Sequence, residues 1–356
     1  MASALWPVYK RRMLVTLVDD SIPFNGSTPA YQPLGGAEKA FASLPAALAR
    51  RGHVVRAFNR APHSMGIDNV SWVTWEGRKP PITEVLIAYR KPALLEFTRA
   101  VGGRVLWVAG NAAYLNTQTA TDLLIRSNAR LVFSGEAQRK TYKANEKVKT
   151  FTVPPAVRDE YRNAGPMEAK GRAPIAIVTS HPKHGVDWLI NTWIARIKPR
   201  VADAELHLYS ATFHKAASGS APVPDELKAI YDLVKGAESS GVVIKSPGGD
   251  VDMVRNYRAA RVHLYPGSEH DLLCSTLLES QAVGVPAVCR PLGAVEERID
   301  VGESGFFGIN DVEFAEHAIR LMTDEAAFDQ ASAEARSNAR SRSWDTVAGE
   351  FEFAFR

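Results

Sequence analysis

The stretch that decides the fold runs from residue 13 to residue 59. It opens with MLVTLVD (13–19), an apolar run that ends in acid, and passes through a loop of turn formers from Asp20 to Leu34. Gly35-Gly36 then leads into AEKAFASLPAALARR (37–51), and HVVRAFN (53–59) closes the stretch. Phe41, Leu44 and Leu48 recur at helical spacing. Arg50 and Arg51 suit a helix C-terminus, and Gly52 suits its left-handed cap. Pro45 falls inside this pattern and predicts a kink or an interruption, because it lacks an amide proton. Strand, loop, helix and strand in this order make a βαβ unit, the building block of parallel sheets covered on both faces.

Working outward, short apolar runs follow at VSWVTW (70–75), EVLIAY (84–89), RVLWVA (104–109) and ARLVFS (129–134). TVPPAV (152–157) reads as the exit from this layer, and the polar, glycine-containing stretch 160–172 reads as a linker. A second series begins at PIAIVTS (174–180). It continues through the helical VDWLINTWIARIK (186–198), then ELHLYS, GVVIKS, RVHLYP and PAVCR. Two successive open α/β domains face each other across a cleft at the carboxyl ends of their strands.

Composition agrees with a folded α/β protein. The 356 residues are 46% hydrophobic and 23% charged, which excludes wholesale disorder. No apolar run reaches the roughly 18 residues needed to span a bilayer. The first thirteen residues hold no secretory apolar core, since Pro7, Lys10, Arg11 and Arg12 interrupt it. Cys274 and Cys289 are too few for a disulfide framework or a cysteine-based zinc site. A cytoplasmic location is the expectation. Charge is divided unevenly. Residues 1–158 hold 22 basic and 10 acidic side chains, a balance of +12, and residues 159–356 hold 21 and 29, a balance of −8. Such a split suggests either an anionic partner for the first half or a dispersed, solvated face.

The second half carries the more specific pattern. LYPGSE (264–269) is followed by Asp271 and then by LLCSTLLESQAVGVPAV (272–288), so that an acidic residue, seven intervening residues and Glu279 precede a Gly-x-Pro-x-Val strand. This resembles the donor-binding segment of the retaining GT-B glycosyltransferases of family 4. LGGAEKAFASLPAALARRGHVV (34–55), AVEERIDVGESGFFGI (294–309) and the C-terminal ARSNARSRSWDTVAGEFEFAF (335–355) resemble further parts of that family in the same order. The resemblance implies two Rossmann-like, doubly wound domains. Residues 1–158 would bind the acceptor and 159–340 a nucleotide-sugar donor, and the last helix, 341–356, would cross back to the first domain.

It also implies roles. Asp271 would face the sugar, with Glu269 two residues away as a substitute. Glu279 would accept hydrogen bonds from both ribose hydroxyls. The structural alternative for Glu279 is a capping box with Thr276. Gly35 and Gly36, and the loop Leu272-Leu273-Cys274, would offer backbone amides to phosphates where each precedes a helix. A tight turn is the alternative for the glycine pair. Lys183 would place a cation at the β-phosphate, where charge develops as the glycosidic bond breaks. His184 would donate to the same phosphate, more strongly when protonated. Asp19, Asp20 and Asn111 are the acceptor-side candidates. The chain departs from the family at three positions: Asp271 stands for the usual Glu, Ala109 for a His and Ser180 for an Arg.

The resemblance implies no cofactor, and no Asp-x-Asp pair stands where a metal would bridge a diphosphate. Asp250-x-Asp252 reads as part of a turn after Gly248-Gly249. The expected partners are the nucleotide sugar and a glycan, lipid-linked or other anionic acceptor. Basic QRKTYKANEKVK (138–149) suits contact with an anionic membrane, and RKPALLEFTRAVGGR (90–104) either an interfacial helix or an ordinary half-buried stripe. A nucleic-acid acceptor ranks lower, because no aromatic–basic binding motif stands out. Two alternatives remain: a non-catalytic nucleotide-sugar binder, and a nucleotide-sugar epimerase of the same fold.

Overall fold

The computed structural model describes residues 11–355, so the N-terminal stretch 1–10 discussed above lies outside the described residues. The first series of runs forms one eight-stranded sheet. Its strands are β1 (Leu14–Val18), β2 (Val54–Asn59), β3 (Met65–Ile67), β4 (Val70–Thr74), β5 (Ile82–Tyr89), β6 (Ala100–Trp107), β7 (Ala129–Phe133) and β8 (Thr150–Thr152), in the order 3-4-2-1-5-6-7-8. All pairings are parallel except β3 with β4. The second series forms a six-stranded parallel sheet. It contains β9 (Ile175–Val178), β10 (Glu205–Tyr209), β11 (Val242–Lys245), β12 (Val262–Tyr265), β13 (Ala287–Cys289) and β14 (Gly305–Phe307), in the order 11-10-9-12-13-14. In both sheets the order reverses beside the first strand of the series, which places a crevice at its carboxyl end.

Burial explains why the apolar runs read as continuous rather than alternating. Val15, Leu17 and Val18 of β1 and Val85 to Ala88 of β5 are fully enclosed, since helices cover both faces. Helix Gly36–Arg50 lies on one face, with Phe41 packed edge-on to Phe24 and Trp72. It runs through Pro45 without interruption. Proline has no amide to offer the carbonyl one turn earlier, and Phe41, Leu44 and Leu48 on either side of it are buried in the core.

The stretch 90–104 is not an amphipathic helix. Residues Pro92–Glu96 form a 3-10 turn and the rest enters β6, while Leu94, Leu95 and Phe97 are buried in the core. The stretch 160–172 is not a free connector either, because Tyr161, Met167 and Ala169 are buried with Tyr257 and Phe328 in a core of the second sheet. Helix Trp344–Phe351 packs on helix Gly36–Arg50, and Phe351 meets the Trp107 ring at 5.0 Å. Arg51 and His53 both bind the Glu352 carboxylate, at 2.5 and 3.1 Å. Among the described residues no helix is long and apolar enough to cross a membrane.

Candidate functional site

A cavity of about 520 Å³ lies where the carboxyl edges of the two sheets meet. Thr179, Ser180, His181 and His184 follow β9, Tyr209 ends β10, Pro247 and Gly248 follow β11, and His270, Asp271 and Leu273 follow β12. The opposite wall is short: Pro33 to Gly36, and Lys39 one turn into helix Gly36–Arg50. The two walls approach closely at the glycine pair, where a Cβ on Gly36 would collide with the Ser275 hydroxyl. Glycine at position 36 is what lets the two domains touch there.

Glu279 sits on the floor of the cavity, on helix Ser275–Val283. The capping box does not form. Cys274 is the N-cap, in the left-handed region at φ 49°, and makes no side-chain cap bond. Asp271 organises this turn instead, accepting the Cys274 amide at 2.9 Å and the Tyr265 hydroxyl at 2.5 Å. The Glu279 carboxylate accepts from the Lys39 ammonium at 2.8 Å, and the Tyr257 hydroxyl lies 3.4 Å from its other oxygen. Lys39 is itself shared, 2.6 Å from Asp250 and 3.2 Å from the Tyr161 hydroxyl. Arg158 meets the second oxygen of Asp250 at 2.8 Å.

Asp250 therefore does not belong to an exposed turn. It is the first residue of helix Asp250–Ala259 and has no solvent exposure. Lys39, Arg158, Asp250 and Glu279 thus form a largely buried cluster between the domains, and Arg158 also meets the Glu160 carboxylate at 3.2 Å. Burial disfavours charge on Lys39, but Glu279 and Asp250 outweigh it and hold its pKa above the usual value. Burial raises the pKa of Glu279, Lys39 pulls it down and Asp250 pushes it up again, for a net rise. Beneath Glu279, His263 is fully buried between Ser280 (2.7 Å) and Thr179 (3.1 Å), and burial lowers its pKa to about 3.

The sequence-based candidates separate into two groups. Gly35, Gly36, His184, Asp271, Leu273 and Glu279 all line the cavity. Leu272 and Cys274 are buried within the loop, where burial pushes the Cys274 thiol far up. Glu269 is exposed and outside the lining. Lys183 turns to Glu226 at 3.8 Å and does not reach the cavity. Asp19, Asp20 and Asn111 are not in the lining either. Asp19 is buried, its pKa raised by burial, with the Ser21 hydroxyl at 2.5 Å and Arg90 at 3.8 Å. Asp20 pairs with Lys91 at 2.8 Å. Asn111 accepts the Ala113 amide in a 3-10 turn. Sequence reasoning missed Lys39, Arg158, Tyr161 and Tyr257. The available signal was Lys39 itself, a charged residue one position before the buried Ala40-Phe41 stripe.

A second seam joins the domains away from the cavity. Glu297 accepts the backbone amides of Ala137 and Glu136, at 2.6 and 3.0 Å. The buried Arg298 guanidinium donates to the carbonyls of Ser134 (2.9 Å) and Leu273 (3.0 Å).

Comparison with known proteins accords with this geometry. Residues 174–324 match the family model of the glycosyl transferases group 1. No curated protein matched the chain by sequence. Sucrose-phosphate synthase from Thermosynechococcus elongatus superposes with a TM-score of 0.72 at 14% identity, over 97% of this chain and 98% of its own. HepE from Anabaena, in complex with UDP and glucose, gives 0.69 at 12% identity, over 96% and 99%. WaaG, a glycosyltransferase involved in lipopolysaccharide biosynthesis, gives 0.64 at 14%, over 96% and 98%. At such identities the likeness is one of fold, and the fold is GT-B: two Rossmann-like domains facing a central cleft.

Proposed function

We propose that this protein transfers a sugar from a nucleotide-diphosphate sugar, UDP- or GDP-linked, to a glycan, lipid-linked or other anionic acceptor. One observation carries the reading. A cavity at the carboxyl edges of both sheets holds a buried carboxylate, Glu279, within the segment matched by the glycosyltransferase family. The UDP and glucose bound to the Anabaena protein support the donor class.

In this reading Glu279 accepts the ribose hydroxyls, since one of its oxygens retains free lone pairs. The amides at Gly35 and Gly36, at the positive end of a 15-residue helix, and the His184 ring serve the phosphates. Asp271 serves the sugar. Its oxygens are occupied by Tyr265 and by the loop amides, which fix its direction and leave further lone pairs. We assign retention of anomeric configuration, with the leaving phosphate taking the acceptor's proton and no metal needed. The exposed Lys140, Lys143, Lys147 and Lys149 fit an acceptor presented at the cytoplasmic face of a membrane.

Thermal-shift measurements across UDP- and GDP-sugars, followed by product analysis, test this. A true donor raises the melting temperature by mass action and is turned over. Stabilisation without hydrolysis or transfer favours the binding-only reading, which the outward turn of Lys183 and the Ser180 substitution support. No response to any nucleotide sugar refutes both.

A further inference from the structure

Glu279 is 5% exposed and lies beside a second buried carboxylate, Asp250. Such a carboxyl takes up a proton unless a cation holds it charged, because desolvation penalises the ionised form. A protonated carboxyl gives up acceptor capacity and is a poorer partner for two hydroxyls. The cation that holds Glu279 charged comes from the opposite domain. Lys39 stands on helix Gly36–Arg50 of the first sheet, and all three of its ammonium protons are used, by Glu279, Asp250 and Tyr161.

We propose that Lys39 is a positioning residue for the donor: by reaching across the cleft it keeps Glu279 ionised and oriented, so that the first domain completes the nucleotide site of the second. The inference rests on the assignment of Glu279 to the nucleotide. Lys39 bonds one oxygen of Glu279, and the other accepts a long bond from the Tyr257 hydroxyl at 3.4 Å. Lys39 and a ribose therefore do not compete for the same lone pairs. Separation of the domains would remove the ammonium and leave Glu279 and Asp250 facing each other, with Arg158 held by Asp250 and Glu160. Nucleotide binding and the closed arrangement of the domains are thereby coupled.

The charge state of Glu279 is set by few groups. Lys39 comes from helix Gly36–Arg50, Asp250 and Tyr257 from helix Asp250–Ala259, and Arg158, Tyr161 and the Glu160 paired with Arg158 from the connection between the sheets. From β12 comes His263, on the neighbouring Ser280. Arg340 bonds the Ala282 carbonyl further along the same helix, and Arg336 approaches Gly284 at its end.

The test is calorimetric binding of UDP and GDP to the full chain between pH 7 and 9, above the second phosphate ionisation near pH 6. The wild type is expected to bind with an affinity that is nearly flat in this range. Lys39→Met is expected to bind at least tenfold more weakly at pH 7 and to recover as pH rises and Glu279 ionises. The double variant K39M/D250N removes one charge of each sign and leaves the charge balance of the cluster unchanged, so it tolerates folding. It should show the same kind of loss, with recovery at lower pH because the repulsion from Asp250 is gone. A folded Lys39→Met or double variant with wild-type affinity overturns the inference. So does a loss that is equal at every pH, which is the mark of a structural role alone. A wild type that binds neither nucleotide refutes the assignment of the cavity itself, and the inference with it.

Discussion

The two seams between the domains are built from different chemistry. Beside the cavity, Lys39 and Arg158 face Asp250 and Glu279, side chain to side chain, in a largely buried region. At the other seam, Glu297 and Arg298 reach mainly backbone amides and carbonyls, and Glu297 remains partly exposed. A buried charge is tolerable only when its partner is in place, so the first seam depends on every member and on the relative position of the domains. The second is made mostly to the main chain of residues 134–137, and at the exposed Glu297 water can replace part of what is lost, though not at the buried Arg298. Sensitivity to substitution should therefore concentrate at the seam that shares its residues with the cavity.

The largest effect is expected from Asp250→Ala, which leaves Lys39 with Glu279 alone and Arg158 with Glu160 alone. A loss of about 3–5 kcal/mol is expected in urea unfolding. A loss below 1 kcal/mol would erase the contrast between the seams. Acid should act next on the same region through His263. Its folded-state pKa, about 3, lies below the unfolded value near 6.5, so the unfolded chain takes up the proton first. Stability is then full above pH 6.5 and falls as pH drops towards 3, by about 2 kcal/mol at pH 5. His263→Gln should lack this slope between pH 7 and 5, as followed by denaturant midpoints.

At the second seam, Glu297→Ala leaves two amides that solvent can reach. It should cost about 1–2 kcal/mol and leave nucleotide affinity unchanged. A tenfold loss of affinity would show that this seam also governs the cavity. The smallest effect is expected from Lys183→Ala, whose ammonium sits at the surface, 3.8 Å from Glu226. Stability should stay within about 0.5 kcal/mol, and UDP or GDP affinity should be unaltered in the same calorimetric assay. A clear loss of turnover would mean that Lys183 swings into the cavity when the donor is bound.

What the sequence determined by itself is the parallel architecture and the location of the cavity. The first follows from local signals, since apolar runs such as LVTLV and EVLIAY specify strands buried on both faces. The second rests on resemblance, since the glycine pair and the acidic-x7-Glu spacing point to one site only through the family pattern they match. Gly35, Gly36, Asp271, Leu273 and Glu279 were accordingly legible in advance as residues of one site. What only the tertiary structure decided is which charges meet. Lys39 and Glu279 stand 240 residues apart, and Asp250 follows a glycine pair that reads as an ordinary turn. Lys183 looked like the phosphate's cation because it neighbours the right loop, yet its side chain points to Glu226. Periodicity reports burial along one element. The pairing of ions across a cleft depends on how two independent sheets are set against each other, and no local pattern encodes that distance.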